Sequence, residues 1–274
     1  MTYADICRAL READIHTAEW DASLLLEHFC GVDAALVRLD PMHNYESEAL
    51  EKAVAARVSR YPLQYLLGSW QFYRQTYRVT PDCLIPRSDT EILVEEAIRR
   101  LPRRARFADL CTGSGCIAVS VLAERPDTQC VAVEKFPKTL ALATENAALN
   151  GVRDRFTPLQ ADVLETLDLP SESLDAILSN PPYIAAEELE QLSPEVLTEP
   201  RAALDGGEDG LLFYRRILEL HAKHLKPGGL ILFEIGYNQA GAVLELGARF
   251  GYVDGYVRRD LGGNNRVVVL RRPV

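Results

Sequence analysis

The most chemically specific stretch of the sequence is Asn180-Pro181-Pro182-Tyr183, which follows a hydrophobic run, residues 174–179, typical of a buried strand. Proline fixes φ and has no backbone N–H, so this turn offers carbonyl acceptors and few competing donors. A carboxamide beside such a turn can hold a planar –NH2 group, because its side-chain oxygen and a proline carbonyl can each accept one hydrogen. The stretch therefore predicts methyl transfer to an amide or exocyclic amine nitrogen, although two adjacent prolines alone are more often an ordinary loop.

A glycine-containing loop, Cys111-Thr112-Gly113-Ser114-Gly115, lies between a predicted strand and a predicted helix. Glycine permits backbone angles and a close ligand approach that a side chain would block. Glu134 ends the next predicted strand about 20 residues later, where a carboxylate can accept both hydroxyls of a ribose. Because Ala118 completes the dinucleotide pattern, the loop alone does not separate NAD from S-adenosylmethionine as the ligand.

Several predicted strands end in a polar or glycine residue: Asp109, Gly113, Glu134, Asp162 and Asn180 lie at or near such ends. In an open parallel sheet the ligand crevice lies at the carboxyl ends of the strands. We therefore expect one nucleoside to contact all five.

Strands and helices alternate from residue 106 onward, which predicts an α/β fold with a doubly wound, mainly parallel sheet. Only a short Gly-Gly loop separates the last two strands, so one antiparallel member is expected at the C-terminal end. The predicted strands are 106–111, 129–134, 156–161, 174–180, 230–235, 253–258 and 265–271, and the predicted helices are 91–100, 116–124, 137–150, 210–225 and 239–250.

The sequence preceding this region divides into two parts. Residues 1–70 have helical periodicity, which predicts a small helical domain. We expect this domain to serve substrate recognition. Residues 71–86 are rich in β-formers with a Pro-Asp turn, which predicts a linking β-hairpin, and residues 87–274 then form the methyltransferase domain. Ser88 or Asp89 is expected to cap the helix that begins at Glu91.

Composition limits the function classes. The 274 residues are 47% hydrophobic and 26% charged, values typical of a globular protein, and no apolar run is long enough to span a membrane. The first residues lack the order of a signal peptide, so we expect a cytoplasmic protein whose six cysteines are apolar fillers. The formal charge of −10 argues against general binding of nucleic acid. His221 and His224 share a helix face without a third ligand, so no metal site is expected.

Taken together, these motifs resemble the bacterial release factor glutamine methyltransferases, the PrmC/HemK family, over nearly the whole chain. The most specific matches are Leu84-Ile85-Pro86-Arg87 with Thr90-Glu91, and the continuation of the Asn-Pro-Pro-Tyr turn through Glu199-Pro200 and residues 203–211. Further matches are Arg60 to Gly68 with Phe72, Lys226-Pro227-Gly228-Gly229, Glu234-Ile235-Gly236, Gln239 and Arg266. The resemblance implies a Rossmann-like fold, S-adenosylmethionine as cofactor, and methylation of the glutamine amide in the Gly-Gly-Gln loop of peptide chain release factors.

The resemblance also implies roles for individual residues. Cys111 to Gly115 would surround the methionine and ribose parts of the cofactor, Glu134 would bind the ribose hydroxyls, and Asp162-Val163 would lie by the adenine. Asn180, Pro181, Pro182 and Tyr183 would hold the glutamine amide. Many relatives have Gly at position 111, Asp at 134 and sometimes an aromatic residue at 163, so Val163 is expected to give only apolar contact.

For the reaction, we expect Asn180 Oδ1 and the Pro181 carbonyl to accept the two amide hydrogens, while Tyr183 forms a wall of the pocket. Catalysis would then consist of orientation and electrostatics, with no catalytic histidine. An adenine-N6 nucleic-acid methyltransferase remains the alternative, because a base amine fits the same pair of acceptors. The glycine loop alone would also fit an NAD-dependent oxidoreductase.

Overall fold

The computed structural model describes residues 1–274, which form two compact units. The helical unit comprises Met1–Ser69 together with Leu192–Thr198, and the sheet unit comprises Trp70–Gln191 and Glu199–Val274. The short segment that joins the helical unit from far along the chain has no signal in the sequence. The domain boundaries given above, 1–70, 71–86 and 87–274, remain a prediction.

The helical unit has the small all-helical architecture that its periodicity predicts. Leu10, Leu25, Leu26 and Leu50 are fully buried in its core. Its helices are α1 (Tyr3–Glu12), α2 (Ala18–Cys30), α3 (Glu48–Val58) and α4 (Leu63–Leu67), and α8 (Pro194–Leu197) lies in the late segment.

A charged cluster attaches that late segment to the helical unit. Glu195 accepts hydrogen bonds from Arg57 Nη1 at 3.2 Å and from Arg60 at 2.6 Å and 3.0 Å. Arg57 also donates to the buried carboxylate of Asp21 at 2.8 Å, so its charge is paired on both sides. Because unpaired buried charges are strongly destabilising, this cluster holds residues 192–198 in place.

The sheet unit begins with a two-stranded sheet formed by β1 (Ser69–Phe72) and β2 (Gln75–Arg78), where the β-formers predict a hairpin. The seven-stranded sheet that follows has the order β5-β4-β3-β6-β7-β9-β8. It is parallel except for β9, which pairs antiparallel with both β7 and β8, as the short Gly-Gly loop predicts. The strands are β3 (Arg106–Leu110), β4 (Gln129–Glu134), β5 (Phe156–Gln160), β6 (Leu174–Ser179), β7 (Leu225–Glu234), β8 (Val253–Arg259) and β9 (Asn265–Arg271).

Helices cover both faces of this sheet. Successive strand residues point to opposite faces, so Phe107 and Ala132 belong to one core while Ala108 and Val133 belong to the other. The first core includes residues of α5 (Glu91–Arg100), α6 (Cys116–Glu124) and α7 (Pro137–Leu149), and the second includes residues of α9 (Leu212–His221) and α10 (Ala240–Arg249). The α/β doubly wound prediction is confirmed. None of the helices combines the length and the apolar character that a membrane span requires.

The structure corrects three local expectations. Residues Ser88–Thr90 form a 3-10 turn, and neither Ser88 nor Asp89 caps α5. The carboxylate of Glu91 accepts the backbone N–H of Tyr73 at 2.8 Å instead of closing a capping box. In addition, the helix predicted over 210–225 ends at His221, and the strand predicted over 230–235 already begins at Leu225. The strand includes the Pro-Gly-Gly step because its pairing with β6 shifts register there.

The long polar excursion after Tyr183 is closed at its base by backbone hydrogen bonds. Ile184 donates to Leu204, and Gly206 donates back to Ile184 at 2.8 Å. The Gly206–Gly210 loop packs so closely on the Asn-Pro-Pro-Tyr turn that a Cβ on Gly210 would lie 2.4 Å from the Tyr183 carbonyl oxygen. Glycine is therefore required by close approach as well as by a φ of +70° at Gly210.

This packing gives a matched pair of substitutions. Gly210→Ala should destabilise the protein by about 1–3 kcal/mol more than Gly151→Ala, because both add left-handed strain but only Gly210→Ala also overpacks. Gly151 has a φ of +69° and open space around its Cβ position. Urea unfolding midpoints of the two variants measure the difference. Equal losses would show that the loop moves away freely and that the close approach is unimportant.

Candidate active site

A cavity of ≈ 400 Å³ opens at the carboxyl ends of the parallel strands, a volume suited to a small-molecule ligand. The register places these ends together, since Leu110 pairs with Val133 of β4 and with Ser179 of β6. The cavity lies where the strand order reverses, between β3 and β6, and this is where open α/β sheets bind ligands. Of the residues singled out from the sequence, the cavity is lined by Cys111, Thr112, Gly113, Ser114, Glu134, Asp162, Val163, Asn180 and Pro182.

The glycine loop turns directly from β3 into α6. Cys111 has a φ of +60°, in the left-handed region that favours glycine, which explains why glycine suits this position. Gly115 does not line the cavity. A Cβ on it would lie 3.3 Å from the Ala143 side chain, so this glycine lets α6 and α7 pack closely.

Asp109 does not lie at the cavity, which corrects the expectation that it contacts a nucleoside. Its fully buried carboxylate accepts hydrogen bonds from Thr112 Oγ1 at 2.6 Å and from the Ala118 N–H at 3.2 Å. Burial raises the pKa of Asp109 to about 7, despite these two hydrogen bonds. Asp109 thus braces the loop from beneath.

Glu134 presents a nearly buried carboxylate to the cavity. Each of its oxygens accepts one backbone N–H, from Gly113 at 3.1 Å and from Phe136 at 3.0 Å. Burial raises the pKa of Glu134 above its usual value, and these hydrogen bonds oppose the change. Because a carboxylate oxygen has a second lone pair, both oxygens can still accept a ligand hydroxyl.

The adjoining wall combines a charged pair with apolar surface. Lys135 Nζ lies 2.8 Å from Asp162 Oδ2, and Asp162 Oδ1 accepts the N–H of Leu164 at 2.9 Å. Partial burial would raise the pKa of Asp162, but the hydrogen bonds from Lys135 and Leu164 and the charge of Lys135 together outweigh it, and the pKa is lowered. Val163 is buried, whereas Phe136 is 44% exposed and also lines the cavity.

Asn180 lies at the tip of β6 with one end of its carboxamide held by the protein. Its Nδ2 donates to Thr90 Oγ1 at 3.2 Å, while its Oδ1 accepts no hydrogen bond from the protein. Ser179 secures the strand end by donating to the Leu110 carbonyl at 2.6 Å. The carboxamide therefore offers a free acceptor at the cavity wall.

The other residues of the Asn-Pro-Pro-Tyr turn differ in whether they line the cavity. The carbonyls of Pro181 and Pro182 accept no hydrogen bond from the protein, but only Pro182 lines the cavity. Tyr183 packs partly buried against the core beneath α9, and its carbonyl accepts Gln239 Nε2 at 2.8 Å. The structure therefore brings Asn180 and Pro182 to the cavity and leaves Pro181 and Tyr183 behind its wall.

Sequence reasoning assigned no role to several groups around this site. Glu199 is buried, accepts the Ile85 N–H at 2.9 Å and pairs with Arg87, which joins the excursion to the segment before α5. The position of Phe136 could have been inferred from the sequence, because it lies two residues after Glu134, which ends a strand at the same crevice. Thr90 lines the cavity and is 1% exposed, and its signal was its place in the Thr90-Glu91 match.

Metal-binding side chains do not gather anywhere in the chain into a group of three that could hold an ion. His221 and His224 stack with ring centroids 5.8 Å apart, and His221 Nε2 lies 2.9 Å from the Val163 carbonyl. Burial lowers the pKa of His221 to about 4, so its ring is neutral at ordinary pH. The pair supports the cavity wall from the interior.

Two family models match the chain: "Methyltransferase small domain" over residues 88–223 and "PrmC N-terminal domain" over residues 3–68. Among solved structures, a ribosomal protein L11 methylase from Lactobacillus delbrueckii subsp. bulgaricus aligns with a TM-score of 0.52 at 20% identity, covering 72% of this chain and 85% of that one. A methyltransferase from Pyrococcus furiosus aligns with a TM-score of 0.54 at 16% identity, covering 72% and 89%. At such identities the likeness concerns the fold alone, and it confirms the predicted Rossmann-like fold.

Curated relatives are much closer in sequence. A release factor glutamine methyltransferase of Geobacter sulfurreducens is 43% identical, with 94% of this chain and 91% of the relative covered. One of Cereibacter sphaeroides is 42% identical, with 100% and 99% covered. Since these matches span both units, the chain belongs to the release factor glutamine methyltransferase family.

Proposed function

We propose that this chain transfers a methyl group from S-adenosylmethionine to the side-chain amide nitrogen of the glutamine in the Gly-Gly-Gln loop of peptide chain release factors. The observation that carries the proposal is the Asn180 carboxamide, whose nitrogen is held by Thr90 and whose oxygen is free beside the cavity. Family membership supports the same reaction, because the relatives' names state the substrate and the modified residue.

The chain's own groups fit the cofactor. Glu134 has an unused lone pair on each oxygen for the two ribose hydroxyls, and each oxygen is already oriented by a backbone N–H. Gly113 leaves the loop open to close approach, with a φ of +57°. Phe136 and Val163 offer apolar surface to a purine. When bound, the cofactor supplies an electrophilic methyl group.

The task of the protein is to orient a weak nucleophile. An amide nitrogen shares its lone pair with its carbonyl, so the residues must draw electron density back toward nitrogen. Asn180 Oδ1 would accept one amide hydrogen, which helps to fix the direction of the nitrogen lone pair. The Pro181 carbonyl, expected from the sequence to accept the other, does not line the cavity. Pro182 would limit the movement of the glutamine side chain.

No residue needs to remove a proton before transfer. Histidine is absent from the cavity lining, and Glu134 is engaged by Gly113 and Phe136. The proton leaves after methylation, because a methylated and still protonated amide nitrogen is strongly acidic and can give it to water. The site therefore acts through placement rather than general base catalysis.

The direct test is mass spectrometry of a release factor after incubation with the protein and S-adenosylmethionine. We expect a mass gain of one methyl group, located on the glutamine of the Gly-Gly-Gln loop. Duplex DNA and RNA incubated in parallel should remain unmodified. Methylation of adenine with an unmodified release factor would contradict the proposal and favour the alternative reaction.

Asn180→Ala should lower the rate of methyl transfer by about two to three orders of magnitude, because one preorganised polar partner is removed. The affinity for S-adenosylhomocysteine, measured by calorimetry, should change little. Asn238→Ala, which removes an exposed amide elsewhere in the sheet unit, is the matched control. Transfer by Asn180→Ala at near wild-type rates would show that the carboxamide does not hold the substrate.

We further propose that the helical unit contacts the release factor away from the glutamine. Three of its apolar side chains are widely exposed: Leu36 at 59%, Leu39 at 79% and Met42 at 69%. Grouped apolar exposure of this kind is typical of an interaction surface. Substitution tests this better than deletion of residues 1–70, because deletion would leave the late segment, 192–198, without its partners.

The double variant Leu39→Asp/Met42→Asp should raise KM for an intact release factor by roughly tenfold, equivalent to about 1.4 kcal/mol of binding. Activity on a saturating glutamine peptide should be unchanged. Leu261→Asp, at an exposed position of the sheet unit, is the control. An unchanged KM for the intact factor would refute this docking role.

A further inference from the structure

A carboxamide has nearly the same shape at both ends, but only its oxygen can accept hydrogens from a substrate –NH2 group. Turned by 180°, Asn180 would present its own N–H donors to the substrate and repel it. Some group must therefore determine which end faces the cavity, and the hydrogen bonds around the carboxamide are what decide it. The groups in question are those that contact the Asn180 carboxamide.

The nearest of these groups is Thr90, whose side chain is 1% exposed. Its Oγ1 accepts a hydrogen bond from Asn180 Nδ2 at 3.2 Å. A hydroxyl can act as donor and acceptor at once, so Thr90 alone would tolerate either end of the carboxamide. Which end of the carboxamide faces Thr90 therefore depends on the group to which the Thr90 hydroxyl donates its hydrogen.

Glu234 supplies that direction. The register pairs Ser179 with Phe233, so the next residues of the parallel strands, Asn180 and Glu234, lie side by side. Glu234 is 1% exposed; burial raises its pKa, and the side chains of Thr90 and Asn180, acting as hydrogen-bond donors, lower it. Its buried Oε2 has no hydrogen-bond partner in the structure, so it can accept one from the Thr90 hydroxyl. An ionised carboxylate only accepts, so Thr90 must donate to it and Asn180 must present N–H.

We infer that Glu234, directly and through Thr90, is the positioning residue that turns the Asn180 oxygen toward the substrate amide. The inference rests on the proposed function and explains why three separate elements meet here: the turn before α5, the end of β6 and the end of β7. None of the three residues transfers a proton. Glu234 and Thr90 act only by making one of two amide orientations favourable.

The charge of Glu234 is itself balanced by its surroundings. Burial raises its pKa to about 7, while the Thr90 and Asn180 hydrogen bonds and the charge of Arg266 lower it and Asp89 raises it. Arg266 is shared, since it lies 3.0 Å from Asp89 and 3.1 Å from Asp260. The other titratable groups that face this cluster are Cys116, Tyr183 and Tyr214, all of which are neutral at ordinary pH because their pKa values are raised by burial.

The sign of the resulting pH dependence follows from this balance. Above pH 7 Glu234 is ionised and accepts only, which holds Asn180 in the active orientation. Below pH 7 its protonated carboxyl becomes a donor, and the turned carboxamide is then tolerated. The wild-type kcat should therefore decrease as the pH falls below about 7, whereas KM for the cofactor stays constant.

The test compares Thr90→Val, which keeps the shape and removes the hydroxyl, with Thr90→Ser, which keeps the hydroxyl. Thr90→Val and Glu234→Gln should each lower kcat by about 10- to 100-fold, the range expected when a buried polar partner is lost. Affinity for S-adenosylhomocysteine and the thermal midpoint should change little. Thr90→Ser should recover most of the rate, and Glu234→Gln should abolish the limb near pH 7. Both substitutions act through the same carboxamide, so their effects should not add. The double variant Thr90→Val/Glu234→Gln should have a kcat within threefold of that of Glu234→Gln alone.

A second readout does not depend on activity. In protein labelled with ¹⁵N-asparagine, the Asn180 side-chain signals, identified by their loss in Asn180→Asp, should titrate near pH 7 in the wild type and not in Glu234→Gln. If these signals titrate but no glutamine is methylated, the proposed function fails and the positioning role stands. If the signals do not titrate, or if Thr90→Val matches the wild type in kcat, the positioning role is overturned.

Discussion

The parallel pairing of β3 with both β4 and β6 decides where every proposed functional group lies. Parallel strands in register end at the same edge of a sheet, and here that edge carries Cys111, Glu134 and Asn180. A shift of one residue in a strand would turn its side chains to the opposite face. The hydrophobic residues that alternate between the two cores therefore fix the site indirectly, because they fix the register.

Buried carboxylates are an energetic cost of this arrangement. Burial raises the pKa of both Asp109 and Glu234 to about 7, so each is held in a setting that disfavours its charge. Neither contacts the cavity directly: Asp109 braces the glycine loop, and Glu234 lies behind Asn180. Perturbed carboxylates are common at functional sites, and in this protein they orient the groups that face the ligand.

Much of the fold could be predicted from the sequence because its periodicities are local. Helix α6 and strand β4 have the predicted bounds, and β9 is antiparallel as its short preceding loop requires. The bounds of α5 were predicted correctly, but its cap was wrong because Glu91 accepts the Tyr73 N–H, a contact made possible only by the folded hairpin. The bounds of β7 were wrong because pairing with β6 extends the strand across a Pro-Gly-Gly step, overriding its turn preference.

The residues that lie at the strand ends of the site could also be predicted from the sequence. Glu134 and Asn180 end predicted strands and Asp162 follows one, and their position at one edge of the sheet followed from the topology. The burial of Asp109 could not be inferred, since a strand-ending acid can point either into the core or into the crevice. Nor could the association of Glu195 with Arg57 and Arg60, which joins residues far apart in the chain.

The central claim is that the free oxygen of Asn180 accepts a hydrogen from the substrate amide. A crystal structure with S-adenosylhomocysteine and a glutamine peptide tests it most directly. We expect a distance of about 2.7–3.2 Å between Asn180 Oδ1 and the glutamine amide nitrogen, with that nitrogen directed toward the cofactor sulfur. A glutamine amide bound by other groups, or an Asn180 side chain turned into the protein interior, would contradict it.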